Sequence, residues 1–427
     1  MGFLAGIGVL ASLIIFHELG HFLAARLQGI YANRFAIGFG PVLLKYDWAG
    51  TEFSLRLLPL GGFVGFPDED PDSTIPKDDP NLLKNRPILD RAIVMAAGVV
   101  MNLIVAYAAL LALVLITGIE EPGPGLQVPG KPVPGLTTAL QAGDVLRQVN
   151  GQDLGSGGLD RLPSLLQTNP ATLTLVLERD GKRITQEATP EDLRGVRILG
   201  LGGVDTPAAK ADIQAGDVVL QAGDQSLGLT PTESVERFRT AVQAAGQQPL
   251  ILVIRRGTER INKTVTPSDK GQVGVSLAPN LVPNVVRRPV EGVGESLAAA
   301  NQKFFFITES TLSGFGQLFT GKVGLDQLSS PVGIVKYTAD VSNDNPLNLL
   351  SVAALVSFSL AFLNLLPIPG LDGSHLVFLA LEAIRGKPVS EQIQNRVLQT
   401  GLIFLMGLSV TLILKDSLNW ILKGSPF

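Results

Sequence analysis

Long apolar runs and short alternating ones divide this chain into two kinds of territory. Four runs are long enough to cross a bilayer as a helix, which takes about 20 residues. They are Gly2 to Ala25, Ala92 to Ile119, Leu349 to Ile384 and Val397 to Leu414. The third is interrupted by PIPG at 367–370. Two prolines there remove helix donors and clash with the preceding turn, so the span must unwind. Between the first two runs, RFAIGFG (34–40), TEFSLRLL (51–58) and GGFVGF (61–66) predict short strands joined by glycine-containing turns. KFFFITESTLSGFGQLF (303–319) has shorter, interrupted apolar runs and predicts a helix on the membrane surface rather than a fifth span.

The polar middle of the chain repeats. AGDVLRQVNGQDL (142–154) matches AGDVVLQAGDQSL (215–227), and LTLVLERDGKRITQEATP (173–190) matches LILVIRRGTERINKTVTP (250–267). Each half predicts a Gly-Asp turn into a strand, a second turn, a helix (Leu159 to Gln167; Glu233 to Ala245) and two strands joined tightly. EPGPGLQVPGKPVPG (121–135) precedes them and predicts an irregular linker. The expected organisation is an N-terminal membrane part (1–119), a first α+β domain (120–194), a second (195–280), a surface and linker region (281–346) and a C-terminal membrane part (347–427).

Composition supports the membrane reading: of 427 residues 46% are hydrophobic and only 17% charged. That is too apolar for an ordinary soluble enzyme. A net charge of −4 gives no electrostatic reason to expect nucleic acid as a partner. With no cysteine there is no disulfide and no thiolate ligand or nucleophile. The N-terminal run has no basic leader or small-residue cleavage site and reads as a retained helix. Short loops set the orientation. The first holds Arg34, Lys45, Arg56, Lys77, Lys84, Arg86 and Arg91, and the last holds Arg385, Lys387 and Arg396. Both are therefore expected in the cytoplasm, with both termini and the repeats outside. A chain with no transit peptide favours a bacterial inner membrane.

Only three histidines occur, His17, His21 and His375. Two of them sit in IIFHELGHFLAAR (14–26), inside the first apolar run. At i and i+4 on a helix both imidazoles share a face, with Glu18 beside them to take a proton from a metal-bound water. A catalytic zinc wants three protein ligands and one open position, so a third ligand must come from elsewhere. Asp372, in NLLPIPGLDGSH (364–375), is the best candidate. Irregular backbone at membrane depth must line a cavity or be buried in protein, and an intramembrane carboxylate needs a partner. His17 lies about 22 Å into its span, toward the cytoplasmic side of a ~30 Å core. With four spans Asp372 reaches a similar depth; a fifth would put it on the opposite side. His375 competes as a ligand but reads better as structural. Asn102 reads as hydrogen-bonding glue between helices, and Asn364, one turn before the proline break, faces the site.

HELGH at 17, GFGP at 38, LLPLGGFV at 57, AGVVMN at 97, SSPVGI at 329 and NLLPIPGLDG at 364 occur in order around the repeats. In this the chain resembles the site-2 proteases, intramembrane zinc metalloproteases, in their bacterial two-PDZ form. The resemblance implies a polytopic α-helical membrane protein with four transmembrane helices, membrane-associated strands, and two tandem PDZ-like domains between helices 2 and 3. It implies Zn2+ held by His17, His21 and Asp372, Glu18 as general base, and substrate contacts at Asn364, Gly38 and Gly40. The implied substrates are single-pass membrane proteins, anti-sigma factors or signal-peptide remnants, already shortened by another protease. Val99, Ser330 and Ser374 stand where the family usually has Pro, Gly and Gly, and none is a proposed ligand.

A PDZ domain captures an extended chain end at a sheet edge; LGLGG (199–203) is the candidate for carboxylate binding, and spacer domains that merely hinder access are the alternative. A helix must unwind before it is cut, so a strand edge from residues 34–66 is expected to pair with the substrate near the metal. The rival readings are a non-catalytic PDZ membrane scaffold and a metal or proton transporter. An intact Glu18 argues against the first, and four spans with two soluble-type domains argue against the second.

Overall fold

Apart from residues 1, 71–72, 136–137, 167–170, 204, 229–230, 270, 322–327 and 424–427, the computed structural model describes the whole chain. It divides into two compact units, one from the two ends of the chain and one from the middle, Ile119–Arg288.

The first unit begins with α1 (Gly2–Leu27), whose glycines decide its neighbours. A Cβ on Gly20 would lie 2.8 Å from Met101 Cβ, so that face packs closely on α2 (Ile88–Thr117). Between the two helices, β1 (Arg34–Trp48) and β2 (Thr51–Gly65) are each 15 residues long. The expected short strands are thus two long ones, because Gly38, Gly40 and Gly61 take positive φ and bend the chain without ending its pairing. Arg34–Ile37 pairs with Glu52–Leu55 on one side and Gly62–Gly65 on the other. Phe22 of α1 sits 5.5 Å from Phe35 and 5.6 Å from Phe53, ring centre to ring centre, which fixes this sheet to the helix.

The middle unit contains two sheets. The first half has β3 (Ile119–Gln127), β4 (Val145–Val149), β5 (Gln152–Asp153), α3 (Gly158–Leu165), β6 (Leu173–Arg179) and β7 (Lys182–Ala188). The end of the predicted helix, Gln167, lies outside the described residues. The second has β8 (Val196–Leu201), α4 (Pro207–Lys210), β9 (Val218–Ala222), β10 (Gln225–Ser226), α5 (Pro231–Ala245), β11 (Leu250–Arg256), β12 (Glu259–Val265) and β13 (Val275–Pro279). The chain then returns to the first sheet as β14 (Val282–Arg288), giving the orders β14-β3-β4-β6-β7 and β12-β11-β9-β8-β13.

Two sequence expectations change here. Residues 121–127 of the expected irregular linker belong to a strand that starts at Ile119, and residues 282–288, expected as linker, complete the first domain. Prolines 122 and 124 are tolerated because the β3–β14 ladder is bulged between Pro283 and Val285, and the Asn284 side chain donates to Pro124 O at 3.0 Å. The LGLGG stretch is also engaged within its own domain. Gly200 and Leu201 pair with β13, and Gly202 N–H donates to Gly274 O at 2.9 Å.

The repeat seen in sequence is a repeat in side-chain chemistry. Asp144 and Asp217 are both 1% exposed. Arg179 holds Asp144 in two bonds of 2.7 Å, and Arg256 holds Asp217 in two of 2.8 Å. Each carboxylate also accepts a backbone N–H at 2.8 Å, from Gln141 and Gln214 respectively. The Asp217 carboxylate raises the pKa of the Arg256 guanidinium above its ordinary value. Arg197 is buried beside neutral acceptors, Asn280 Oδ1 at 3.1 Å and Leu140 O at 3.4 Å, and burial pushes its pKa down to about 10.

After β14 the first unit resumes with α6 (Val293–Phe319), α7 (Pro331–Asp344), α8 (Asn348–Leu365), α9 (Asp372–Arg385) and α10 (Glu391–Lys423). The expected surface segment 303–319 is the second half of a longer helix. Its Phe304 stacks edge-on to Tyr107 of α2 (5.8 Å) and Phe358 of α8 (5.5 Å). Helix α7 packs on α1 where Gly2 and Gly6 leave room: Cβ atoms there would lie 2.7 Å from Ala339 O and 2.6 Å from Val335 O. The N-terminus of α7 is capped by Ser330, whose Oγ accepts from Gly333 N–H at 3.1 Å. Ser330 N–H in turn donates to the buried Asp416 of α10 at 2.7 Å. The hydroxyl at this departure from the family pattern is therefore a helix cap.

Candidate active site

HELGH falls in the third and fourth turns from the C-terminal end of α1, and α9 starts on Asp372 immediately after the proline break. The break is needed for the approach: Ile368 N–H donates to Leu366 O and Leu371 N–H to Ile368 O, a tight turn that swings the chain back. As a result His17 Nε2, His21 Nε2 and Asp372 Oδ2 meet. The separations are 3.2 Å (His17–Asp372), 3.4 Å (His21–Asp372) and 3.3 Å (His17–His21).

That triangle has the dimensions of a metal site. Ligand atoms about 2.0–2.1 Å from a tetrahedral ion lie about 3.3–3.4 Å apart, one face of the tetrahedron. Asp372 Oδ2 is buried and receives no hydrogen bond, a costly state for a carboxylate unless a cation supplies the partner. Two nitrogens, one carboxylate oxygen and no thiolate form a zinc-type donor set with a fourth position free. Among the described residues this is the one group of three such side chains close enough to share an ion; His375 is not part of it.

Helix α2 orients both rings. His21 Nδ1 bonds Val94 O at 2.8 Å, which places the proton on Nδ1 and points the Nε2 lone pair at the trio. His17 Nδ1 lies 3.2 Å from the Asn102 amide. Amide oxygen and nitrogen are assigned by their partners. Turned toward His17, the otherwise partnerless Asn102 Oδ1 accepts from Nδ1–H. Asn102 therefore does more than hold helices together. Gly98, between these two residues, is essential for room: a Cβ there would sit 2.6 Å from His17 Cε1 and 2.8 Å from His21 Cε1. The only signal for these roles was AGVVMN itself, with Gly98 and Asn102 one turn apart.

Glu18 accepts from the backbone of Val64 on β2. A Cβ on Gly62 would approach Glu18 Cγ at 2.9 Å, so the strand can pass this close only as glycine. Glu18, His17, Asp372 and Asn364 line a cavity of about 270 Å³ together with Gly61 and Gly62. Asn364 Nδ2 lies 3.2 Å from His17 Nε2. Gly38 and Gly40, expected to contact substrate, lie on β1 and do not line this cavity; the wall is built by the glycines of LLPLGGFV instead.

Residues 5–408 match the model of peptidase family M50. The chain belongs to this family, the site-2 proteases. It is 39% identical over 435 residues to a candidate zinc metalloprotease of Nostoc sp., covering 99% of each chain. It is 34% identical over 424 residues to a chloroplastic membrane metalloprotease of Arabidopsis thaliana, covering 97% of this chain and 78% of the relative. A regulator of sigma-E protease from Salmonella typhimurium is 31% identical over 446 residues, with 96% of each covered. As an M50 member the chain is an intramembrane zinc metalloprotease. Among the described residues, four helices are long and apolar enough to cross a membrane: Gly2–Leu27, Ile88–Thr117, Asn348–Leu365 and Glu391–Leu418.

Proposed function

We propose that this M50 protease cuts peptide bonds within the transmembrane segments of single-pass membrane proteins already shortened by another protease. The supporting observation is the convergence of His17, His21 and Asp372 beside Glu18 in a cavity walled by β2. On this reading the trio holds zinc. When bound, zinc polarises the scissile carbonyl and acidifies the attacking water. The Glu18 carboxylate takes the proton of that water and returns it to the leaving nitrogen. The Asn364 amide donates to the substrate backbone. The Gly61–Gly62 segment admits an unwound strand, because it brings backbone to the cavity wall without a side chain of its own. An apolar surround matches a substrate that is itself a membrane helix.

The Salmonella relative is named for regulation of sigma-E, and an anti-sigma factor would be one substrate of the stated kind. Basic residues in the short loops favour a site toward the cytoplasmic face of a bacterial inner membrane, with the two α+β repeats outside. There they act as PDZ-like filters against substrates with bulky external domains. Glu18→Gln tests the mechanism: a tagged single-span substrate should be cleaved by wild type and left intact by the variant, with zinc still bound. Equal product from both proteins would remove Glu18 from the chemistry.

A further inference from the structure

The two halves of the site sit on α1 and α9, and no short loop ties those helices together. Their common support is one stripe of α2. Arg91, Val94, Gly98 and Asn102 are spaced i, i+3, i+7 and i+11, so they face the same way. Three of them serve the histidines: Val94 O orients His21, Gly98 makes room for both rings, and Asn102 meets His17 Nδ1. The fourth reaches the other half. Arg91 grips Glu382 of α9 through Nη1–Oε2 at 3.0 Å and Nη2–Oε1 at 2.5 Å. The two side chains are 17% and 14% exposed.

Helix α9 packs on α2 and on the end of α8 mostly through apolar and backbone surface, which sets distance better than register. It starts after the PIPG turn and ends at Gly386, which takes φ +69°. Among the described residues, Arg91–Glu382 is the one side-chain hydrogen bond or ion pair, those of Asp372 apart, that joins α9 to another element. A bidentate guanidinium–carboxylate pair sets orientation as well as distance. Shielded from water, it cannot lose one member without stranding a charge.

We propose that the Arg91–Glu382 pair positions Asp372 for zinc. It locks α9 to the same face of α2 that orients both histidines, and so sets metal affinity from about 15 Å along the helix. Arg91 and Glu382 are positioning residues; neither reaches the cavity. This rests on the reading of His17, His21 and Asp372 as the zinc ligands.

The experiment measures zinc affinity of the full-length protein in detergent by competition with a chelating dye, well below the unfolding temperature. The variants are R91Q, E382Q, the double R91Q/E382Q and the swap R91E/E382R, with D372N as reference. Cobalt-substituted absorption spectra report the ligand geometry. Each single variant should weaken zinc about 10–100-fold, as loss of a group supporting a ligand does elsewhere. It should also shift the cobalt bands, and the double should be no worse than either single. The swap should recover most of the affinity. A pair acting only as structural glue would lower the melting temperature and leave affinity and bands unchanged. Singles within about twofold of wild type, alongside a weakened D372N, overturn this proposal alone. D372N with wild-type affinity overturns the ligand reading and this proposal with it. If the singles do not fold, the swap decides: folded with wild-type affinity supports the pairing, folded with weak affinity overturns it.

Discussion

Asp372 Oδ2 stands 3.2 Å from His17 Nε2, though the two residues come from opposite ends of the chain. His21 Nδ1–H is committed to Val94 O, so its Nε2 offers a lone pair. Two ring nitrogens and a carboxylate oxygen this close together are satisfied at once by a shared cation, the reading that chelation tests. Chelation should therefore loosen the membrane unit as well as stop cleavage. Saturating zinc at about a thousand times its dissociation constant stabilises by about 4 kcal/mol. A thermal melt should show that gain in wild type and lose it in Asp372→Asn; an equal zinc shift in both proteins would remove Asp372 from the ligand set.

Gly98 should tolerate no side chain. A Cβ would overlap both imidazoles, and overpacking of that kind costs about 1–3 kcal/mol while displacing the rings. Gly98→Val should reduce bound zinc, measured as metal per mole of purified protein. Gly8→Ala on α1 is the control, since nothing lies within 4 Å of that added atom. Equal zinc contents would mean that the rings relax away at no cost.

Asn102 gives a sharper test because its side-chain and backbone tasks separate. The backbone carbonyl accepts from Ser357 Oγ at 2.7 Å and survives any substitution. Asn102→Leu removes the acceptor for His17 Nδ1–H, and zinc affinity should fall about 10–100-fold. Asn102→Asp keeps an acceptor and should lose less. The order is read by dye competition, and Leu binding zinc as well as Asp would end the argument.

What could be read in the sequence follows from how local each signal is. HELGH needs only the i, i+4 geometry of one helix, and the break before Asp372 needs only the chemistry of two prolines. Their similar depth in a four-span chain then links them across the sequence. Four apolar helices were visible for the same reason. Gly98 was invisible because the atoms that forbid a side chain there belong to another helix. The strands β3 and β14 were missed because each looks irregular alone and acquires order from a partner far along the sequence. Residues 34–66 read as strands, but their glycines read as turns where they serve as bends. Gly2 and Gly6 gave a small-residue signal for the α7 contact that the apolar count obscured.

The repeat in the middle unit carries a prediction about stability. Asp144 and Asp217 are buried, and their arginines, 26% and 21% exposed, hold them from equivalent strand ends in the two repeats. Breaking a buried pair strands a charge and costs about 3–5 kcal/mol; partial exposure of the arginines puts these at the lower end. The Gln141 and Gln214 N–H groups add to the loss, because both donate to the carboxylate. Asp144→Ala should therefore destabilise its domain by about 3 kcal/mol, and Asp217→Ala by less, because Arg256 keeps Asp212 as a second partner. Glu233→Gln supplies the contrast: its partner Arg237 is 45% exposed and Glu233 itself 46%, and exposed pairs contribute at most about 1 kcal/mol. Hydrogen exchange on the full-length protein separates the domains: protection should fall in β9 and β11 for Asp217→Ala, and in β4 and β6 for Asp144→Ala. Comparable losses from Glu233→Gln would show that burial is not what makes the two aspartates matter.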